Sequence, residues 1–221
     1  MWSRQQWKRG RKRHVGYHLV RRDVLLHSEG RTVTKYYREG KLEAKLAEQQ
    51  SRGINDIPGL YRGEPEFLCE MAAQAPYGVG LEIGVRFGYS IIHWGGARQG
   101  RGEIIGIELE DRPLMWNNID ASGLPIDIVI GDSATVTIPQ RDLAFLFIDG
   151  DHRKQGLKAD MARFIPWIMP GGIVVFHDYK HDRKRYPEFA VTEIVKDWRK
   201  RSGWQKLGRV RHAIAFQRPA A

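Results

Sequence analysis

Cysteine is nearly absent from this chain: Cys69 is the single one in 221 residues. That excludes an internal disulfide and a cysteine-built metal site. Cys69 lies in the apolar stretch Phe67-Leu68-Cys69 and reads as a small buried hydrophobe rather than a nucleophile. No run of about 18 apolar residues occurs, so no membrane-spanning helix is expected. The N-terminus lacks the apolar centre of a secretory signal, and the expectation is a cytoplasmic protein that does not touch a membrane. Two glycine signatures are also missing. Without G-x-G-x-x-G there is no fingerprint of a nicotinamide-dinucleotide enzyme, and without G-x-x-x-x-G-K-[ST] there is no phosphate-binding loop. Acids are missing from the first 22 residues, the earliest being Asp23.

Positive charge is in excess, with 36 Lys and Arg against 26 Asp and Glu and a net charge of +10. It gathers between Arg4 and Arg22 and again between Lys180 and Arg201. The first cluster is interleaved with Trp2, Trp7 and Tyr17, a pattern that suits a polyanion; the second fits a solvated helix face. Residues 1 to 61 show no strand–helix alternation, only a helix-favouring stretch at Lys41 to Gln50. They read as a basic, partly helical extension or cap, with residues 62–221 as the main domain. Exposed aromatics in that extension leave a homodimer contact open.

From residue 62 the pattern is regular. Helices are expected over Glu64 to Gln74 and Tyr89 to Arg98, and from Pro113. A further helix is expected with Leu157, Met161, Phe164, Ile165 and Ile168 on one face, stopped by Pro170-Gly171-Gly172. A last one is expected to open at Pro187. Between them lie apolar runs at Val79–Ile83, Glu103–Ile107, Ile126–Ile130, Leu143–Ile148 and Ile173–Phe176, the mark of strands covered on both faces. The chain ends in an antiparallel hairpin with its turn near Gly208. The fold class is α/β: a Rossmann-like, doubly wound sheet, mostly parallel, with an antiparallel C-terminal hairpin.

In such sheets ligands bind beyond the carboxyl ends of the strands. Here the strand ends carry Glu82, Gly84 and Gly88; Glu108; Asp132-Ser133; Asp149-Gly150-Asp151-His152; and His177-Asp178-Tyr179. An acid or a polar residue therefore follows every apolar run. Glu108 suits the hydroxyls of a ribose, as the corresponding acid does in dinucleotide folds. Asp149 and Asp178 follow successive strands. Strands about 4.8 Å apart would bring the two acids within reach of one cation, which would relieve their mutual repulsion. His152 suits proton removal from a hydroxyl near neutral pH.

The segments LEIGVRFGYS, IIGIELE, IGDS, FLFIDGDH and GGIVVFHDY resemble class I S-adenosylmethionine-dependent methyltransferases, and among them the small metal-dependent O-methyltransferases of the catechol, macrolide-sugar and cephalosporin-pathway types. The resemblance covers roughly residues 62 to 218. It implies that Glu82, Gly84, Gly88 and Ser90 hold the methionine end of the cofactor, Glu108 its ribose, and Asp132 with Ser133 its adenine. It further implies that Asp149 and Asp178 bind a divalent metal and that His152, aided by Asp149, is catalytic. His177 is a candidate third ligand where relatives carry an acid, which tilts the metal from Mg²⁺ toward Mn²⁺ or Fe²⁺. Tyr179 stands where catechol-type enzymes have an acid or amide. The expected partner is a small hydroxylated molecule. The second choice is a metal-independent 2′-O-ribose methyltransferase of RNA, supported by the basic N-terminus. No N-P-P-Y-type sequence or Pro-Cys nucleophile is present to direct chemistry to a base.

Overall fold

The computed structural model describes residues 19–20, 60–98, 100–182 and 184–220, so the expected Lys41 to Gln50 helix and nearly all of the basic extension fall outside the described residues. The chain order is β1 (Leu19–Val20), α1 (Glu64–Gln74), β2 (Val79–Ile83), α2 (Tyr89–Ala97), β3 (Ile104–Glu108), α3 (Pro113–Ser122), β4 (Ile126–Ile130) and β5 (Leu143–Ile148). It continues with α4 (Lys154–Phe164), a single 3₁₀ turn (Ile165–Trp167), β6 (Ile168–Phe176), α5 (Val191–Ser202), β7 (Gln205–Val210) and β8 (Ala213–Gln217).

One eight-stranded sheet runs in the order β1-β4-β3-β2-β5-β6-β8-β7. From β2 the chain winds outward through β3 and β4, then returns to lay β5 on the other side of β2. In open α/β sheets the place beyond the carboxyl ends of the strands at such a switch, here between β2 and β5, is where ligands bind. The β8 strand is antiparallel and lies between β6 and β7, as the expected hairpin requires. Alternation along β5 builds both halves of the core. Phe145 and Phe147 pack with α1, α2 and α3 on one face, while Leu146 and Ile148 pack with α4 and α5 on the other. Phe145, Phe147, Phe176 and Phe216 are each 0% exposed, worth about 1.5–3 kcal/mol apiece in burial. Among the described residues no helix is long and apolar enough to cross a membrane.

Three expected boundaries move. The α4 helix stops at Phe164, because Pro166 has no amide to continue the hydrogen-bond ladder; Ile165 falls in the 3₁₀ turn and Ile168 begins β6. Pro170-Gly171-Gly172 thus lies inside β6, where the pairing with β5 shifts register. The last helix begins at Val191 rather than at Pro187. The hairpin turns at Arg211-His212, with Arg211 at φ 44. Gly208 sits within β7, where an added Cβ would meet the Phe67 ring at 3.2 Å, so that glycine makes room for α1 rather than making the turn.

Candidate active site

One half of the rim is built by the exits of β2, β3 and β4. Gly84 has φ 87, and a Cβ there would stand 2.3 Å from the Asp149 carbonyl oxygen. No other residue fits the place where the β2 and β5 exits touch. Gly88, at φ 84, caps α2. Glu82 is 0% exposed, and its two oxygens accept hydrogen bonds from Ser90 Oγ and Trp94 Nε1, both at 2.5 Å. Burial raises its pKa well above the usual carboxyl range; the charges of Asp149 and Glu108 add to this, and the two hydrogen bonds only partly offset it. Ser90 is therefore held in place by an acid that faces no solvent.

Glu108 accepts the Arg86 amide at 2.6 Å and the Glu110 amide at 3.2 Å, with Arg112 at 3.7 Å. A carboxylate has about four lone-pair sites, so two remain for incoming hydroxyls. Asp132 is exposed and accepts the Ala134 amide at 2.9 Å. Ser133 donates to Asp160 Oδ1 at 2.6 Å. Among the described residues the second oxygen of Asp160 is buried without a partner, and burial, joined by the charges of Asp132 and Asp151, pushes its carboxyl up to about 6.

The other half is a cluster of acids and histidines at the exits of β5 and β6. His177 is 3% exposed. Its Nδ1 is 3.1 Å from Asp149 Oδ1 and 3.3 Å from Asp178 Oδ2, and its Nε2 is 2.9 Å from Glu64 Oε2. Burial opposes charging of this ring, but the three surrounding acids outweigh it and hold the pKa well above the usual histidine value. His152 Nδ1 is 3.1 Å from Asp178 Oδ2, and His181 Nε2 is 3.4 Å from Asp178 Oδ1. Burial would raise the Asp178 pKa; the hydrogen bond and charge of His177, with His152 and His181, lower it instead. Asp178 also adopts φ 53, a left-handed conformation uncommon outside glycine and the kind of local strain that gathers at functional sites.

The expected acids Asp149 and Asp178 thus meet. One candidate ligand atom each from Asp149, His152 and Asp178 lies within 4.8 Å of the other two. His177 Nδ1 faces the same two acids. Adjacent ligands of an octahedral cation with bonds of 2.0–2.1 Å stand about 3.0 Å apart. The separations from His177 Nδ1 match that spacing, and the mixed nitrogen–oxygen donor set fits Mn²⁺ or Fe²⁺ as well as Mg²⁺.

Three further residues, Glu64, Asp160 and Tyr61, were not legible as site residues. Glu64 reads as an ordinary first-turn helix acid, yet it is 0% exposed and reaches His177 at the exit of β6. Asp160 sits on the buried face of α4. Tyr61 meets the His212 ring edge-on with centroids 4.9 Å apart, and His181, a loop residue close enough in sequence to shape the substrate mouth, stacks on the same ring at 4.7 Å. Strand-end spacing does not point to Glu64 or Asp160; their signal is burial, which only the fold reveals.

The sequence model of a methyltransferase-domain family matches residues 81–179, the span that contains both halves of the rim except Glu64 and His181. Solved structures of the same fold include the O-methyltransferase TomG of Streptomyces achromogenes, involved in tomaymycin synthesis and bound to S-adenosylmethionine. It is 16% identical with a TM-score of 0.58, over 81% of this chain and 89% of that one. An O-methyltransferase of Bacillus cereus with S-adenosylhomocysteine is also 16% identical with a TM-score of 0.58, over 80% and 89%. The N-methyltransferase NodS of Bradyrhizobium japonicum is 14% identical with a TM-score of 0.55, over 72% and 96%. At these identities the likeness lies in the fold, which serves methyl transfer to oxygen and to nitrogen alike. Residues 81–179 thus match a methyltransferase-domain model, and the fold around them is shared with solved methyltransferases.

Proposed function

We propose that the protein is an S-adenosylmethionine-dependent O-methyltransferase that methylates a hydroxyl of a small molecule with the help of a divalent cation. The observation that carries this reading is the junction at Asp149. Its carbonyl packs against Gly84 of the cofactor-side loop, and its carboxylate faces His177, beside Asp178. A methyl donor and an acceptor hydroxyl held by the two halves would meet there. The catalytic unit is residues 62–221, with 1–61 an appended basic segment.

Ser90 and the Gly84–Gly88 loop would hold the methionine end of the donor, Glu82 acting through its grip on Ser90 Oγ. The two lone-pair sites left on Glu108 suit the ribose hydroxyls, and Asp132 with Ser133 borders the adenine. Relatives of the same fold that carry S-adenosylmethionine or S-adenosylhomocysteine support this choice of donor. When bound, S-adenosylmethionine supplies an electrophilic methyl group. Most of what the protein contributes is then the alignment of donor and hydroxyl.

Asp149 and Asp178, with His177, would hold the cation. When bound, a divalent cation lowers the pKa of an acceptor hydroxyl. His152 presents Nδ1 to Asp178, which leaves Nε2 as the atom that takes the hydroxyl proton, while Asp178 stabilises the imidazolium so formed. Asp149, Asp178 and Glu64 place three carboxylates around the single ring of His177, so the cluster keeps an excess of negative charge that attracts a cation.

The test is transfer of a labelled methyl group to a panel of phenols, catechols and sugars, with and without a chelator. Methyl transfer that chelator abolishes and Mn²⁺ restores is the expected result. Full activity in chelator would remove the cation from the scheme. Labelling of RNA alone, with binding that falls steeply as salt rises, would instead assign the +10 charge to a nucleic-acid acceptor.

A further inference from the structure

We infer that Glu64 is a positioning residue that makes His177 the third donor of the cation site, by fixing the proton on Nε2 and leaving Nδ1 turned toward Asp149 and Asp178. The inference rests on the cation reading above. Glu64 lies outside the matched span 81–179, on the first turn of α1 rather than at a strand end.

A fully buried carboxylate is costly unless every oxygen is engaged, and here every oxygen is. Oε1 accepts the His212 amide at 2.8 Å; Oε2 accepts the Tyr61 amide at 2.7 Å and faces His177 Nε2 at 2.9 Å. Both backbone partners can only donate, so they fix the carboxylate as an acceptor. The imidazole nitrogen it meets must then be the one that carries hydrogen. The ring is also held edge-on against Phe147, with centroids 6.1 Å apart at 78°. Its remaining nitrogen points at the two acids, 3.1 and 3.3 Å away. A cation bound between Asp149 and Asp178 would take the place of the Nδ1 hydrogen, and the carboxylate behind the ring would then set its tautomer and orientation. The contacts to Tyr61 and His212 give Glu64 a second task, since they tie α1 to the turn before β8. That task does not involve His177, so the two can be separated.

The experiment is Mn²⁺ titration calorimetry on the full chain in four forms: wild type, Glu64→Gln, His177→Gln and the double variant. Glu64→Gln is expected to weaken Mn²⁺ binding about 10–100-fold. In the His177→Gln background the same change is expected to cost nothing further, and S-adenosylhomocysteine binding is expected to hold in all four. Equal losses in both backgrounds would assign Glu64 to anchoring α1 alone and overturn the proposal. Wild-type binding that Glu64→Gln leaves unchanged would overturn it while sparing the cation reading; a wild type that takes up no Mn²⁺ would end both. A second readout needs no variant: ¹H–¹⁵N correlation of the Mg²⁺-loaded wild type should show His177 protonated at Nε2, and a proton on Nδ1 would sink the assignment.

Discussion

The two halves of the rim hold their acids in opposite ways. At the exits of β2 and β3, Glu82 and Glu108 are met by hydrogen-bond donors of the protein itself: Ser90, Trp94 and the amides of Arg86 and Glu110. At the exits of β5 and β6, Asp149 and Asp178 are met by titratable rings, His152, His177 and His181. The first half is a finished mould, whose acids fix the shape of a loop and offer leftover lone pairs. The second is an assembly of charges whose balance changes with protons and cations. The difference matches the division of labour in methyl transfer, where one substrate has only to be held and the other must lose a proton.

If the halves are separable, the largest effects come from the charged one and fall on turnover alone. His152→Gln should lower kcat by about 10²–10⁴-fold, the range for loss of a positioned general base. Asp178→Asn should lose at least as much, because it withdraws the partner of His152 and a cation donor together. In both variants calorimetry should find S-adenosylhomocysteine binding as in wild type. An equal collapse of cofactor binding would show that the division does not exist.

Gly84→Ala attacks the one place where the halves touch. At φ 87 the new methyl would sit 2.3 Å from the Asp149 carbonyl oxygen, and backbone on both sides would have to move. About 2–4 kcal/mol of stability should be lost, and both cofactor and Mn²⁺ binding should weaken. A variant that lost only one of them would mean that the junction is looser than the packing shows.

Glu108→Ala sharpens the comparison from the other side. Hydrogen bonds to a charged group contribute about 1.5–3 kcal/mol. Affinity for S-adenosylhomocysteine should therefore fall roughly 10–100-fold, while Mn²⁺ binding stays unchanged.

How much of this the sequence disclosed follows from where each signal is written. The five apolar runs from Val79 to Phe176 are local, and each maps onto a strand from β2 to β6. The polar residues just past them are local too, which is why the rim could be read in one dimension. Boundaries failed in two ways: Pro166, a local breaker inside the apolar stripe, ended α4 early, and tertiary contact made Gly208 serve Phe67 instead of a turn. Glu64 and His177 are 113 residues apart, and their contact has no local mark. Glu82 was legible as a rim acid, but its complete burial was not. Ser90, eight residues on in α2, donates to that buried acid.

Asp160 offers the smallest and cleanest effect, because it belongs to the finished half yet behaves like a member of the charged one. Its carboxyl rises from 3.8 to about 6, with burial as the main cause, and Oδ2 has no partner among the described residues. A folded-state pKa above the unfolded value means that the native chain keeps a proton which the unfolded chain has already released. Stability therefore falls as pH rises from about 4 to 6, and the full cost persists above that range. Each pKa unit is 1.36 kcal/mol, so the cost at pH 8 is about 1–3 kcal/mol. Asp160→Asn keeps the acceptor for Ser133 and removes the charge. In urea unfolding it should match wild type near pH 4 and exceed it by about 1–3 kcal/mol at pH 8. An Asn variant no more stable than wild type at pH 8 would mean that a donor engages Oδ2 in solution, and Asp160 would then resemble Glu82 in being fully satisfied.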